Sequence, residues 1–399
     1  RKLGKELDLF FFDQLSPGSP FFLSKGATVY KELQNFIRDL YRNYDYREVI
    51  TPQVYDVQLW KQSGHWELFR DYLYHMKIGE REFGLKPMNC PGHAILFASD
   101  LHSYRDLPVR VADFGRLHRF EKAGVISGLT RVRSFSQDDA HIFCTPDQVS
   151  GEITSLIEMI NVVFETFEFE TVKVELSKRP EKALGDENLW DKTEAILSKS
   201  LQENGVDYVE MAGEGAFYGP KIDFQARDAL GRYHQLSTIQ LDFTLPERFQ
   251  LEYVAEDGSH QRPVMIHRAI LGSIERFFGV YLEHCGGDFP LWLAPTQVVI
   301  LPVSEKFASY GNEVLEKLQS AGLRAELDDR SDKVGAKIRN AETKKTNVML
   351  IVGGREMESG EVSVRRRFVG DQGQIKVEAL ISELTSEINE HRRLKPSEK

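Results

Sequence analysis

The stretch RVRSFSQDDAHIFC (131–144) holds the densest set of reactive side chains in the sequence. Read as a strand, its period of two places Phe135, Gln137, Asp139 and His141 on one face. A flat aromatic, an amide, a carboxylate and an imidazole make a poor core and a good pocket wall. The bland alternative is a solvated strand face, and alternation alone does not choose, because the opposite face (Ser136, Asp138, Ala140, Ile142, Cys144) is only modestly apolar. Upstream, LHRFE puts Leu117, Arg119 and Glu121 on one strand face, and the loop KAGVISGLTR joins the two strands. Arg119 has the fork for a phosphate and Glu121 an acceptor for a base amino group; as a plain surface ion pair they would contribute little. PVMIHRAILGSIERFFG (263–279) reads as a strand, a Gly272–Ser273 turn and a helix with Arg276 one turn in. Such a helix start suits an anion, and it is also how an ordinary capped helix begins. Cys90, in KPMNCPGH, is either a small buried hydrophobe or a ligand. His141 and His267 are its candidate partners at a shared metal, but separations of 51 and 126 residues match no local ligand motif.

The elements that must position these groups fall into two regions. Before residue 290, a helix with Val29, Leu33, Phe36, Ile37 and Leu40 on one face leads into EVITP, where Pro52 ends a strand. Irregular, glycine-bearing loops join the later strands, which predicts an α+β domain on an antiparallel sheet over 1–290. FPLWLAPTQVVI (289–300) marks the boundary. Beyond it, QVVILPV, Leu323–Leu327, VMLIVGG and the Val362/Val364 segment read as strands. Helices over Phe307–Leu318, 333–345 and Val377–Ile388 alternate with them, so 291–399 is expected to be a small α/β domain.

The chain has 399 residues, 41% hydrophobic and 28% charged, enough to bury a sizeable core and to exclude a disordered or collagen-like chain. Three widely spaced cysteines exclude a disulfide scaffold and suggest a reducing compartment, taken as the cytoplasm. Charges interrupt every apolar run before membrane-spanning length. The start lacks an initiator Met and the order of a signal peptide, and reads as a fragment or processed chain. The net charge of −10 argues against a coat for non-specific nucleic-acid binding. The charge is uneven, however: residues 291–399 carry about +1. Lys333, Lys337, Arg339, Lys344 and Lys345 form one basic cluster there and Arg365–Arg367 another. Such runs are usually solvated faces, but two on one small domain point to an anionic partner.

KPMNCPGH, LHRFE, RVRSFSQDDAHIFC, GEGAFYGPKID, IQLDF and MIHRAILGSIER, in that order, resemble the threonyl-tRNA synthetases, a class II aminoacyl-tRNA synthetase family, over essentially the whole chain. The resemblance implies a catalytic domain over 1–290 and an anticodon-binding domain over 291–399. It implies a threonine–tRNA ligase that forms threonyl-adenylate from threonine and ATP and passes threonine to the terminal adenosine of tRNA(Thr). EVITP corresponds to the motif that builds the family's homodimer, and the resemblance implies no membrane association. Cys90, His141 and His267 correspond to the ligands of one zinc per chain. Met88, Gln137, Asp139 and Tyr218 would line the threonine site, with Asp139 accepting the hydroxyl proton. Arg119, Glu121, Arg131, Phe135, Gln235, Ser273 and Arg276 would hold ATP with its Mg²⁺. Lys221 and Gln240 would stand around the reacting groups with Arg119 and Arg276, and His65 near the terminal ribose. Arg339, Glu356 and Arg365 would read the anticodon, with neighbouring Lys and Arg on phosphates. Two positions depart from the pattern: Phe120 and Ser331 each stand where Asn is more usual. A prolyl relative, an RNA-binding relative without catalysis and a zinc hydrolase are the competing readings. The complete ligand set, both arginines and the absence of a local His-x-x-Glu arrangement speak against them in turn.

Overall fold

The computed structural model describes residues 1–169 and 172–392. These form two compact units. The larger comprises Phe12–Pro20 and Gln34–Tyr281; the smaller comprises Arg1–Phe11, Phe21–Leu33 and the segment from Leu282 onward.

The larger unit is built on a nine-stranded sheet. In chain order its strands are β1 (Arg47–Glu48), β2 (Val109–Asp113), β3 (Arg116–His118), β4 (Ser134–Cys144), β5 (Val172–Ser177), β6 (Val209–Met211), β7 (Lys221–Arg227), β8 (Tyr233–Asp242) and β9 (Val264–Ser273). Their spatial order is β6-β5-β7-β8-β9-β4-β2-β1, with β3 paired to β4. Every pairing is antiparallel except β5–β6 and β1–β2. This is the α+β class expected from the irregular connections.

One face of the sheet is covered by the helix Val149–Thr166, which packs on β8 and β9. It buries Ile153, Leu156, Ile157, Ile160 and Val163, an i, i+3, i+4 set, each contributing about 1.5–3 kcal/mol of transfer free energy. β4 is buried on both faces: Asp138, Ala140, Ile142 and Cys144 are fully buried on one, and Phe135, Asp139 and His141 are buried on the other, so the solvated-strand reading is wrong. Asp138 survives there because it is saturated. It accepts from Arg268 Nη1 at 2.5 Å, from Tyr41 Oη at 2.7 Å and from the backbone N–H groups of Ile270 and Leu271, each at 3.0 Å.

Those two amides are unpaired in the ladder because β9 bulges. Gln137 faces Ser273 and Asp139 faces Ala269, so two steps along β4 match four along β9. Gly272 sits in the bulge at φ +71, where a Cβ would lie 2.7 Å from the Leu236 carbonyl oxygen. The expected turn at Gly272–Ser273 is thus a bulge inside the strand, and the helix Ile274–His284 follows without a loop. LHRFE also differs from expectation. The strand stops at His118, and Arg119 is held by one further bond, from its N–H to the Arg133 carbonyl at 2.9 Å. Leu117 lies in a core cluster with Val132 and Phe135.

The smaller unit has a five-stranded sheet of β10 (Val298–Pro302), β11 (Ala325–Leu327), β12 (Val348–Val352), β13 (Glu361–Arg366) and β14 (Gly370–Lys376), in the order β11-β10-β12-β13-β14. The first three are parallel and the last two antiparallel. The helices Ala308–Ser320 and Val377–Asn389 bury Val314, Leu318, Leu380 and Leu384 against Ile300, Leu350 and Val362. Sequence reading missed β14, whose GDQGQIK has no apolar alternation, and the one-and-a-half-turn helix Gly354–Ser359.

Candidate active site and metal centre

The register of four strands lays out the centre of the site. Lys221 on β7 is opposite Gln240 on β8, Gln240 is opposite His267 on β9, and His267 is opposite His141 on β4. Residues paired this way share a face of the sheet, so amine, amide and two imidazoles form a row. Above the row lies a cavity of about 730 Å³, within the range of ligand sites. Of the residues singled out in this unit, all but His65 and Lys221 line it.

At one end, the ligand atoms of Cys90, His141 and His267 lie within 4.8 Å of one another; this is the one such cluster among the described residues. Cys90 is the first residue of the helix Cys90–Ala98, which packs on β4. Asp242 Oδ2 accepts from His267 Nε2 at 2.8 Å, which turns Nδ1 of that ring toward His141 Nε2, 3.0 Å away. His93, one turn after Cys90, places Nδ1 2.7 Å from His141 Nδ1. Tyr218 stacks on His267 at 4.9 Å and donates to Gln240 Oε1 at 2.5 Å. Burial holds His93 neutral, pushing it down to about 4, and His141 well below the usual histidine range. Burial, with Asp139 and Asp242 nearby, raises the Cys90 thiol. Two imidazoles, a thiol and flanking carboxylates are the donor set and field that suit a zinc-like dication, which would favour the thiolate.

Asp139 sits beside this cluster with its two oxygens differently used. Oδ2 accepts from Asn89 Nδ2 at 3.0 Å, while Oδ1 faces His141 Nε2 at 4.0 Å. Burial pushes the Asp139 carboxyl up to about 6. Gln137 is half-buried and Met88 packs at the edge of the neighbouring core.

The other end is cationic. The Arg119 guanidinium lies over the Phe135 ring, 5.1 Å from its centroid, and Nε donates to the Pro87 carbonyl. Glu121 and Arg131 pair with each other: Nε and Nη2 both donate to Glu121 Oε2, at 3.1 and 2.9 Å. Ser273 Oγ accepts the Arg276 N–H at 3.0 Å, and Arg276 Nε is buried with no hydrogen-bond partner among the described residues. Burial, and Arg131 nearby, lower the Arg276 pKa. A buried arginine whose charge Arg131 disfavours, with a buried donor left open, makes a site that an anion stabilises. Lys221 Nζ donates to Asp223 Oδ2 at 2.6 Å, and Gln235 Nε2 to Asp223 Oδ1 at 2.5 Å.

His65 stands apart from the cavity. It is fully buried, its Nδ1 is 2.8 Å from Ser63 Oγ, and its Nε2 is 4.0 Å from Cys90 Sγ. Four positioning groups were missed: Asn89, His93, Asp223 and Asp242. All lie inside motifs quoted above. Asp223 is signalled by its i, i+2 spacing from Lys221, and His93 by its helical turn from Cys90. Phe120 points outward, 46% exposed, with Tyr74 edge-on at 5.4 Å and Arg133 over its ring at 4.7 Å.

In the smaller unit, Arg339 is exposed on the helix Val334–Thr343, and Arg365 on β13 reaches Glu342 of that helix at 3.4 Å. Glu356 is committed elsewhere, accepting from Gly353 N–H, Ser363 Oγ and Gln374 Nε2. The two basic clusters are less available than their charge implies. Lys337 is buried on the Pro302 and Asp328 carbonyls, and Lys345 binds Asp288. Arg366 binds Glu387, and Arg367 binds Asp288. Lys333, Arg339, Lys344 and Arg365 keep exposure. No helix among the described residues is long and apolar enough to cross a membrane.

Residues 73–285 match the family "tRNA synthetase class II core domain (G, H, P, S and T)", and residues 297–387 match "anticodon binding domain". A threonine–tRNA ligase of Natranaerobius thermophilus is 50% identical over 98% of this chain and 61% of its own length. The chain thus spans about three-fifths of the length of such curated relatives. Among solved structures, the RNA binding domain of threonyl-tRNA synthetase from Cryptosporidium parvum superposes with a TM-score of 0.95 at 44% identity, covering 97% of each chain. A prolyl-tRNA synthetase of the same organism, at 18% identity and TM-score 0.72 over 98% of this chain and 74% of its own, shares the fold.

Proposed function

This chain belongs to the class II tRNA synthetase family, and from that membership we propose that it is a threonine–tRNA ligase. The observation that carries the amino-acid assignment is the convergence of Cys90, His141 and His267 beside Asp139 at one end of the cavity. A zinc ion held by Cys90 Sγ, His141 Nε2 and His267 Nδ1 would supply a Lewis-acid anchor for the amino and hydroxyl groups of threonine. Asp139 Oδ1, left unpaired by the Asn89 contact to Oδ2, is the acceptor for the substrate hydroxyl. Valine has no hydroxyl to offer, so discrimination far exceeds the ~1–3 kcal/mol available from an apolar pocket against a near-isostere. Serine keeps the hydroxyl and is rejected only by the missing methyl.

Activation joins the threonine carboxylate to the α-phosphorus of ATP and releases pyrophosphate, so the protein supplies positioning and charge rather than a nucleophile. Phe135 offers its ring to adenine. Glu121 Oε1, which the Arg131 pair leaves open, accepts from the adenine amino group. Arg119 serves the α-phosphate, while Arg276 and Arg131 serve the outer phosphates with Mg²⁺. Gln240 and Lys221 hold the substrates in line from the central row. In the second step a ribose hydroxyl of the terminal adenosine of tRNA(Thr) attacks the adenylate carbonyl and AMP leaves. We assign Arg339 and Arg365 to the anticodon, with Glu356 positioning its own loop through the Gly353, Ser363 and Gln374 contacts. Ile50, 93% exposed beside Pro52, supports a homodimer built on that motif. Three buried cysteines suit the cytoplasm.

The test is His267→Ala. Zinc content and threonine-dependent ATP–pyrophosphate exchange are expected to fall together. Loss of zinc with exchange intact would remove the metal from the activation step.

A further inference from the structure

The rings around the ligand cluster form a chain whose protons can be counted. Asp242, as an ionised carboxylate, only accepts, so His267 carries its proton on Nε2 and presents a lone pair at Nδ1. That lone pair faces His141 Nε2 at 3.0 Å. At the far side of His141, Nδ1 meets His93 Nδ1 at 2.7 Å, a gap that holds one proton. The His93 ring is fully buried and lies edge-on to His141, with centroids 4.7 Å apart at 81°. Its Nε2 is buried with no hydrogen-bond partner among the described residues.

Two arrangements satisfy these contacts. In one, His93 Nδ1–H donates to His141 Nδ1, and His141 Nε2–H donates to His267 Nδ1. Every close nitrogen pair then has its proton, and no lone pair of His141 or His267 is available to an ion. In the other, His141 Nδ1–H donates to His93 Nδ1, and the proton of His93 moves to Nε2. The lone pairs of His141 Nε2 and His267 Nδ1 now face each other across 3.0 Å, tenable only with a cation between them and Cys90. Each arrangement holds three protons on three neutral rings. Interconversion passes one proton from His93 Nδ1 to His141 Nδ1 and one from His141 Nε2 to His93 Nε2, with no change in charge.

We infer that His93 is the positioning residue of the metal centre: by accepting the His141 Nδ1 proton, it frees His141 Nε2 to ligate. The inference rests on the zinc reading above. His93 is the acceptor that the structure gives His141 Nδ1. Without it, His141 Nδ1 loses the contact that fixes its tautomer and ring plane, and affinity falls by the roughly 10–100-fold typical of losing such an outer contact.

The experiment is zinc competition against a chelator on the full chain, with Co²⁺ absorption as a second readout. His93→Phe, which keeps a planar ring and removes the acceptor, is expected to weaken zinc about 10–100-fold. His93→Gln, whose amide oxygen still accepts, is expected to restore most of the loss. Equal zinc affinity in wild type and His93→Phe would overturn the inference and leave the zinc reading standing. A wild-type chain that takes up no zinc would overturn both. Imidazole ¹⁵N spectra of the wild-type zinc form need no variant that folds. They should show His141 protonated at Nδ1 and His93 at Nε2, and a proton on His93 Nδ1 would contradict the inference.

Discussion

Arg119 shows how much of the chemistry rests on single residues whose resting contacts are weak. Its guanidinium has one backbone acceptor and two ring faces, Phe69 and Phe135, and burial lowers its pKa despite Glu121 nearby. A group held so loosely in a desolvated cavity is arranged for charge that arrives with the substrate. Arg119→Ala is therefore expected to lower ATP–pyrophosphate exchange about 10²–10³-fold, with a much smaller change in the KM for threonine. Equal effects on both would contradict the α-phosphate role. The residues facing the cavity were legible in sequence because a strand exposes every second side chain, and β4 keeps that alternation from Phe135 to His141. The groups that orient them were not. Asn89, His93, Asp223 and Asp242 act through hydrogen bonds whose existence depends on strand register and helix placement, which a linear motif does not encode.

At the scale of elements, the site depends on the bulge in β9. Asp138 gathers the two amides that the bulge frees, and it also neutralises Arg268, whose guanidinium lies over the Tyr41 and Tyr46 rings. The bulge lets the strand end at Ser273, which caps the turn bearing Arg276. Asp138→Ala leaves a buried guanidinium without its counter-charge and two amides without acceptors. It is expected to cost about 3–5 kcal/mol in urea unfolding, and a loss under about 1 kcal/mol would show the pair to be dispensable. The sequence reading placed a turn at Gly272–Ser273 because glycine signals one. Glycine also marks bulges, and only the pairing of Gln137 with Ser273 and Asp139 with Ala269 distinguishes the two. Likewise, LHRFE alternates to its end, yet its ladder ends at His118, since Phe120 N–H bonds the Tyr72 carbonyl instead of a strand.

At the scale of the molecule, the two units divide the proposed work, with activation in the larger and anticodon reading in the smaller. The basic clusters of the smaller unit were legible as charge but not as availability. Lys337, Lys345, Arg366 and Arg367 satisfy the unit's own carbonyls and carboxylates, so net charge overstated the surface offered to RNA. What remains exposed concentrates the expected effect. Arg339→Ala should lower kcat/KM for charging tRNA(Thr) about 10-fold, the ~1–3 kcal/mol of a base contact, while leaving exchange unchanged. A parallel loss in exchange would mean that the residue supports the fold instead. The central claim, that a metal-anchored pocket selects threonine for adenylation, is tested most directly by ATP–pyrophosphate exchange. Threonine, serine, valine and proline would be compared on one zinc-counted sample. About one zinc per chain is expected, with strong exchange for threonine, weaker exchange for serine and none for valine or proline. Exchange with valine comparable to threonine, or no exchange by a folded, zinc-loaded chain, would contradict it.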